Sequence, residues 1–94
     1  MSELIFEHKH RHKNYIIGIK IYKVSKDKWN PEGFHYSLVL TKDEKRILGY
    51  DNHERKWHHV HKGSKEMPYE FVDEWKLIED LYKDVEKMTQ GKIK

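Results

Sequence analysis

The chain has 94 residues and a net charge of +3 at pH 7, and it contains no cysteine. Apolar residues make up only 36% of it, so the aromatic side chains, which are 13% of the chain, must supply much of the buried area. The length predicts one small domain over residues 1–94. The lack of cysteine excludes disulfides and thiolate catalysis and favours a cytoplasmic location. No apolar run predicts a membrane span, and the first residues do not resemble a signal peptide.

Alternating apolar side chains predict a meander of antiparallel strands over about residues 3–62. In residues 15–24, YIIGIKIYKV, the β-branched residues fall on one face of a strand. Asn-Pro and Gly in residues 26–33 predict a loop before the next strand. The strands are predicted at residues 4–12, 15–24, 34–41, 46–50 and 57–61.

A change to a period of three to four residues predicts a C-terminal amphipathic helix over about residues 72–89. Asp73 is the expected N-cap, and Gly91 is expected to end the helix. Tyr69 and Phe71 are expected to anchor the start of the helix on the sheet. The predicted core stripe of the helix consists of Trp75, Leu77, Ile78, Leu81, Tyr82, Val85 and Met88. Strands followed by one helix predict an α+β fold, with an antiparallel sheet of four to five strands packed by this helix.

Three short motifs follow one another: YDNH at residues 50–53, HHVH at residues 58–61 and PYEF at residues 68–71, which leads into the predicted helix. In these motifs, and in the order of its strands and helix, the chain resembles the TumE family. These are small toxin components of bacterial and archaeal toxin–antitoxin pairs. The resemblance covers most of the chain. It implies a growth-inhibiting protein encoded beside an antitoxin that often carries a DNA-binding domain, but it implies no particular chemical activity.

Strand alternation predicts which polar side chains of these motifs meet. In HHVH, Val60 is expected to point into the core, which places His59 and His61 together on the open face of the sheet. Asp51, at the end of the preceding strand, is expected to share that face. The predicted catalytic residues are Asp51, His53, His59 and His61.

One chemistry that fits these residues is cleavage of RNA by acid–base catalysis. Two imidazoles that titrate near neutral pH can remove a proton from a 2′-OH and donate one to the leaving oxygen. His59 and His61 would be this pair, and Asp51 would orient one imidazole and raise its basicity. Basic and aromatic neighbours are predicted to bind phosphate and stack on an unpaired base: Arg46, Lys56, Lys62, Tyr50 and Trp57. This interpretation predicts a toxin that is an endoribonuclease and requires no cofactor.

Two alternatives remain open. His59, His61 and either Asp51 or His53 can ligate a divalent metal, zinc or manganese rather than magnesium, that activates water for nuclease or nucleotide chemistry. Alternatively, the residues form a structural surface, or one that binds nucleic acid or protein without catalysis. In that case Asp51 would bond turn amides, and Asn52 is expected to be a left-handed turn residue.

His58 is expected to face the core side as a hydrogen-bonded, partly buried residue. His8, His10 and His12 are expected on a solvated face of the first strand, and the alternative is that they belong to the same site as His59 and His61. The partners predicted are RNA and a cognate antitoxin, and an open sheet edge also allows a homodimer by edge pairing.

Overall fold

The computed structural model describes residues 2–28, 30–52 and 58–91, which form one antiparallel sheet and one helix. The strands are β1 (Glu3–His12), β2 (Tyr15–Lys23), β3 (Phe34–Lys42), β4 (Lys45–Asp51), β5 (His59–Lys62) and β6 (Lys65–Pro68), and the helix is α1 (Glu74–Thr89). Each strand pairs with the next in chain order. The predicted α+β fold is confirmed, although the sheet has six strands rather than four to five. In the described part of the chain, no helix is both long enough and apolar enough to cross a membrane.

The strand missing from the sequence prediction is β6, which follows β5 after a two-residue turn. Gly63, with a φ of +61°, and Ser64 reverse the chain there. The turn pairs Lys62 with Lys65, and it pairs His61 with Glu66. A glycine followed by serine between two short strands is a hairpin signal. It is the sequence feature from which β6 can be predicted.

The core lies between one face of the sheet and α1. Residues directly opposite each other on neighbouring strands share a face, and Leu40 pairs with both Ile17 and Leu48. The buried cluster consists of Tyr15, Ile17, Ile19, Ile21, Tyr36, Leu38, Leu40, Leu48, Tyr50, Val60, Leu77, Leu81 and Val85. Because α1 packs on this face, the opposite face of the sheet carries no helix in the described part of the chain.

α1 has the predicted ends, but the buried stripe on its surface is narrower than the predicted one. The side chain of Asp73 accepts a hydrogen bond from the backbone N of Lys76 at 2.7 Å, and Gly91 follows the C-cap. The buried residues of α1 are Leu77, Leu81, Asp84, Val85 and Thr89. Trp75 is 69% exposed, and Tyr82 and Met88 are exposed as well. The predicted positions of these three side chains in the core are therefore wrong.

Two tyrosines, one on β4 and one directly after β6, determine which side of α1 faces the sheet. Tyr50 donates a hydrogen bond to Asp84, and Tyr69 donates one to Asp80 at 2.7 Å. Burial, together with these hydrogen bonds, raises the pKa of both phenols, so both remain neutral donors. Buried hydroxyls require partners. The helix therefore turns its two aspartates toward the sheet, and Trp75, on another side, is left in solvent.

We expect the contribution of Asp80 to stability to decrease in acid. Burial by itself raises the pKa of Asp80, but hydrogen bonds from Lys76 and Tyr69 outweigh it and hold the pKa below the usual range. A lowered pKa stabilises the folded protein above the ordinary aspartate value of about 4, and this contribution is lost as pH falls through the folded pKa. Urea unfolding of wild type and Asp80→Asn should differ more at about pH 7 than at about pH 3. A difference that stays constant with pH would contradict this account.

Candidate functional site

The open face of β4, β5 and β6 carries two histidines and two carboxylates side by side. Val60 is 6% exposed on the helix side, and alternation places its neighbours His59 and His61 on the opposite face, as predicted. Asp51 on β4 pairs directly with His59, and Glu66 on β6 pairs directly with His61. We call Asp51, His59, His61 and Glu66 the open-face cluster.

The polar ends of these four side chains converge. Nε2 of His59 lies 2.7 Å from Oδ1 of Asp51 and 3.5 Å from Oε1 of Glu66. Nε2 of His61 lies 3.4 Å from the same Glu66 oxygen and 4.0 Å from Oδ2 of Asp51. The two rings are edge-to-face, with centroids 4.8 Å apart. The distal nitrogens of both imidazoles therefore face carboxylates that they share.

The cluster is covered at one end and open at the other. The side chain of His59 is 10% exposed and that of Asp51 is 18% exposed. The exposure rises to 23% for His61 and 50% for Glu66. A small solute can therefore approach the converging atoms from the side of His61 and Glu66.

Asn52 holds the end of β4 that carries Asp51. Its side-chain oxygen accepts a hydrogen bond from the backbone N of Tyr36 at 3.1 Å, and its amide donates one to the carbonyl of Phe34 at 2.7 Å. These bonds continue the pairing of β3 beyond the last backbone partner of β4. Asn52 has no positive φ, so the predicted left-handed turn conformation is wrong. Its buried amide instead satisfies backbone groups of the sheet.

Arg46 lies beside the cluster because Gly49 has no side chain. Gly49 pairs with His61 on the open face. A Cβ built on Gly49 would approach Cδ of Arg46 to 3.2 Å and Nη1 to 3.5 Å. A β-bulge in the pairing of β3 with β4 places Arg46 opposite Thr41. The guanidinium therefore lies over Gly49, whose partner on β5 is His61.

Two of the predicted substrate-binding residues lie on the other face of the sheet. Tyr50 is 3% exposed and bonds to Asp84 of α1, and Nζ of Lys62 lies 3.4 Å from a carboxylate oxygen of Asp84. Both residues share the face of Val60. The predicted contacts of Tyr50 with a base and of Lys62 with phosphate at this cluster do not fit these positions. The predictions for His53, Lys56 and Trp57 lie outside the described residues.

His58 is a partly buried, hydrogen-bonded residue, as predicted. Its Nδ1 lies 2.8 Å from the hydroxyl of Tyr36, and its Nε2 lies 2.9 Å from Oε1 of Glu32. Its ring stacks on Phe71 with centroids 4.6 Å apart. Burial raises the pKa of Tyr36, so this phenol remains protonated. Phe71, packed in this way, anchors the segment before α1, and Tyr69 does so through its bond to Asp80.

The histidines of β1 do not belong to the open-face cluster. His8 pairs with Ile19 and His10 pairs with Ile17, two fully buried residues of the core face. The His8 and His10 rings stack at 6.4 Å on that side of the sheet. They are thus separated from the cluster by the sheet itself, as well as by the intervening strands.

The arrangement of the cluster supports two kinds of chemistry, proton transfer and coordination of a cation. One possible ligand atom from each of Asp51, His59 and His61 lies within 4.8 Å of the other two. Glu66 adds a second carboxylate that sequence analysis did not predict, because its strand was absent from the predicted sheet. Imidazole nitrogens and carboxylate oxygens are common ligands of divalent transition metals.

The chain is similar to a known toxin family. The family model described as Toxin TumE matches residues 6–89, which include most of β1, the other five strands and all of α1. No curated protein and no solved structure matches the chain.

Proposed function

This chain belongs to the TumE toxin family, and from that premise we propose that it arrests growth by cleaving RNA at the open-face cluster. Family membership also implies a cognate antitoxin as its partner. The observation that carries the proposal is the convergence of two imidazoles and two carboxylates on a sheet face that no described helix covers. A few cuts in RNA are enough to stop translation, which suits a small toxin.

Arg46 supports phosphate as the group that is recognised. A guanidinium offers a planar set of donors that matches two phosphate oxygens, and it keeps its charge at all relevant pH values. The side chain of Arg46 lies over Gly49, and Gly49 pairs with His61. A phosphate held by Arg46 would therefore lie next to the imidazoles.

A depression on the same face supports a polyanionic substrate. It has a volume of about 640 Å³, and it is lined by Glu7, His8, Lys9, Gly18, Ile19, Lys20, Ser37 and Val39. It adjoins the cluster, because Ser37 pairs with Asp51 and Val39 pairs with Gly49. Lys9 and Lys20 supply positive charge along a path away from the site of cleavage, where the backbone of a single strand would lie, and Glu7, whose carboxylate lies 3.5 Å from Nζ of Lys20, offsets part of it.

The geometry bears on the role of the imidazoles in this proposal. In the acid–base scheme, a carboxylate holds one imidazole nitrogen while the other reaches the substrate. In the cluster it is the distal nitrogen of both His59 and His61 that faces the carboxylates. The nitrogens closer to the backbone would then have to reach the substrate. The arrangement favours a species bound between the four side chains over an independent acid and base.

Arg46→Ala is expected to lower the rate of RNA cleavage about 100-fold, because the charge next to the scissile phosphate is removed. The matched control is Arg11→Ala, which removes an exposed arginine from β1, at the far edge of the sheet. Single-turnover cleavage of a labelled RNA measures both variants. Equal losses in the two variants would mean that Arg46 contributes only general positive charge.

The proposal itself is tested on a mixed pool of structured and unstructured RNA. The protein is purified free of RNA and checked for folding by circular dichroism. Cleavage by the wild type that is lost on removal of His61 supports the proposal. RNA that binds in a salt-sensitive way but stays intact would instead support a binding module, and the ribonuclease proposal would be abandoned.

A further inference from the structure

We propose that the open-face cluster is a binding site for one divalent transition-metal ion. The ligands are Nε2 of His59, Nε2 of His61, a carboxylate oxygen of Asp51 and Oε1 of Glu66. The inference assigns a cofactor to the proposed catalytic site. Metal binding itself does not depend on the proposed function; only the role of the ion in RNA cleavage does.

The spacing of the four ligand atoms fits a single ion. Two ligands bound about 2.0 Å from a tetrahedral ion are about 3.3 Å apart. Oε1 of Glu66 lies 3.5 Å from Nε2 of His59 and 3.4 Å from Nε2 of His61. Oδ1 of Asp51 lies 2.7 Å from Nε2 of His59, and its other oxygen, Oδ2, lies 4.0 Å from Nε2 of His61. One possible ligand atom from each of Asp51, His59 and His61 lies within 4.8 Å of the other two, and Oε1 of Glu66 lies beside both imidazoles, so small shifts of the side chains would bring the four groups to coordinating distance.

The charges and the ligand types select the kind of ion. With neutral imidazoles, Asp51 and Glu66 bring two negative charges to one point, which a divalent cation balances. Two imidazole nitrogens favour zinc or iron(II) over magnesium and calcium, which prefer oxygen ligands, and the two carboxylates also suit manganese. The site is thus expected to bind Zn²⁺ or Mn²⁺ and to bind Mg²⁺ weakly.

The sheet holds the ligands in place without the metal. Asp51 lies on β4, His59 and His61 lie on β5, and Glu66 lies on β6, with direct pairings between them. Side chains on paired strands need little reorganisation to bind an ion. Glu66 is half exposed, so the ion can enter, and a phosphate can reach it, from that side. Arg46, over Gly49, would contact the same phosphate.

The test is isothermal titration calorimetry of the full chain with Zn²⁺ alone and with Mn²⁺ alone. The protein is first stripped with a chelator and shown by elemental analysis to be metal-free. We expect one equivalent of tight binding, weakened about tenfold or more by Glu66→Gln and about 100-fold or more by His61→Ala. Glu66 is half exposed and polar in both forms, so its variant should fold normally.

The matched control removes the other pair of neighbouring histidines. His8→Gln combined with His10→Gln should leave the tight equivalent unchanged, because these rings lie on the opposite face of the sheet. Binding that is lost in this double variant but kept in His61→Ala would overturn the proposal. Absence of binding by the folded wild type would overturn it as well.

The two proposals can fail separately. Tight metal binding at the cluster with RNA left intact would support the metal site and refute RNA as the substrate. RNA cleavage by metal-free protein in the presence of chelator, with no heat of metal binding, would refute the metal site. The latter result would still support the ribonuclease proposal, with His59 and His61 acting as acid and base.

Discussion

His61→Ala is expected to abolish growth arrest when the toxin is expressed without its antitoxin, and to slow RNA cleavage about 1,000-fold or more. His61 is the more exposed of the two histidines, and its Nε2 faces both Glu66 and Asp51. Its loss removes one of the four converging groups, whether that group holds an ion or moves a proton. Colony counts after induction, together with cleavage of labelled RNA, measure the effect.

The control is His10→Ala, which makes the same replacement on the opposite face of the sheet. It should leave both growth arrest and cleavage at the wild-type level. Thermal unfolding of both variants distinguishes lost chemistry from lost folding. Full toxicity of a folded His61→Ala protein would show that toxicity does not depend on the open-face cluster.

Leu81→Ala is expected to lower the free energy of unfolding by about 3 kcal/mol. Leu81 is fully buried where α1 packs on the sheet, in the cluster that includes Leu38 and Leu48. Truncation to alanine loses the transfer free energy of the side chain and leaves a cavity that the sheet cannot collapse to fill. For a small domain with a total stability of about 5–15 kcal/mol, this is a large fraction. Urea denaturation followed by circular dichroism gives the value.

The matched control for this variant is Leu4→Ala, in which the leucine is 47% exposed on β1. It should cost less than about 1 kcal/mol, because less apolar area leaves water on folding. Similar costs for the two variants would mean that α1 is not packed as described. The core would then not lie between the sheet and α1.

The sequence by itself determined five of the six strands, the helix and the face on which His59 and His61 lie. These features follow from local periods, because successive side chains of a strand alternate between faces. Once Val60 is placed in the core, His59 and His61 must point to the other side. The same alternation places Asp51 on the open face, because Leu48 of the same strand points into the core. The N-cap at Asp73 is local too, since its partner is only three residues away.

Glu66 reaches the histidines through the register of the turn at Gly63 and Ser64, which is a local signal that the sequence prediction missed. Only the tertiary structure decided the position of Arg46, which lies over Gly49 because of a bulge between β3 and β4. The exposure of Trp75 to solvent was not predictable either from the spacing of apolar residues along the helix. A broad apolar stripe on a helix allows several orientations, and the bonds from Tyr50 and Tyr69 to α1 select one of them. Contacts between elements depend on register and packing, which hydrophobic periodicity within one segment does not contain.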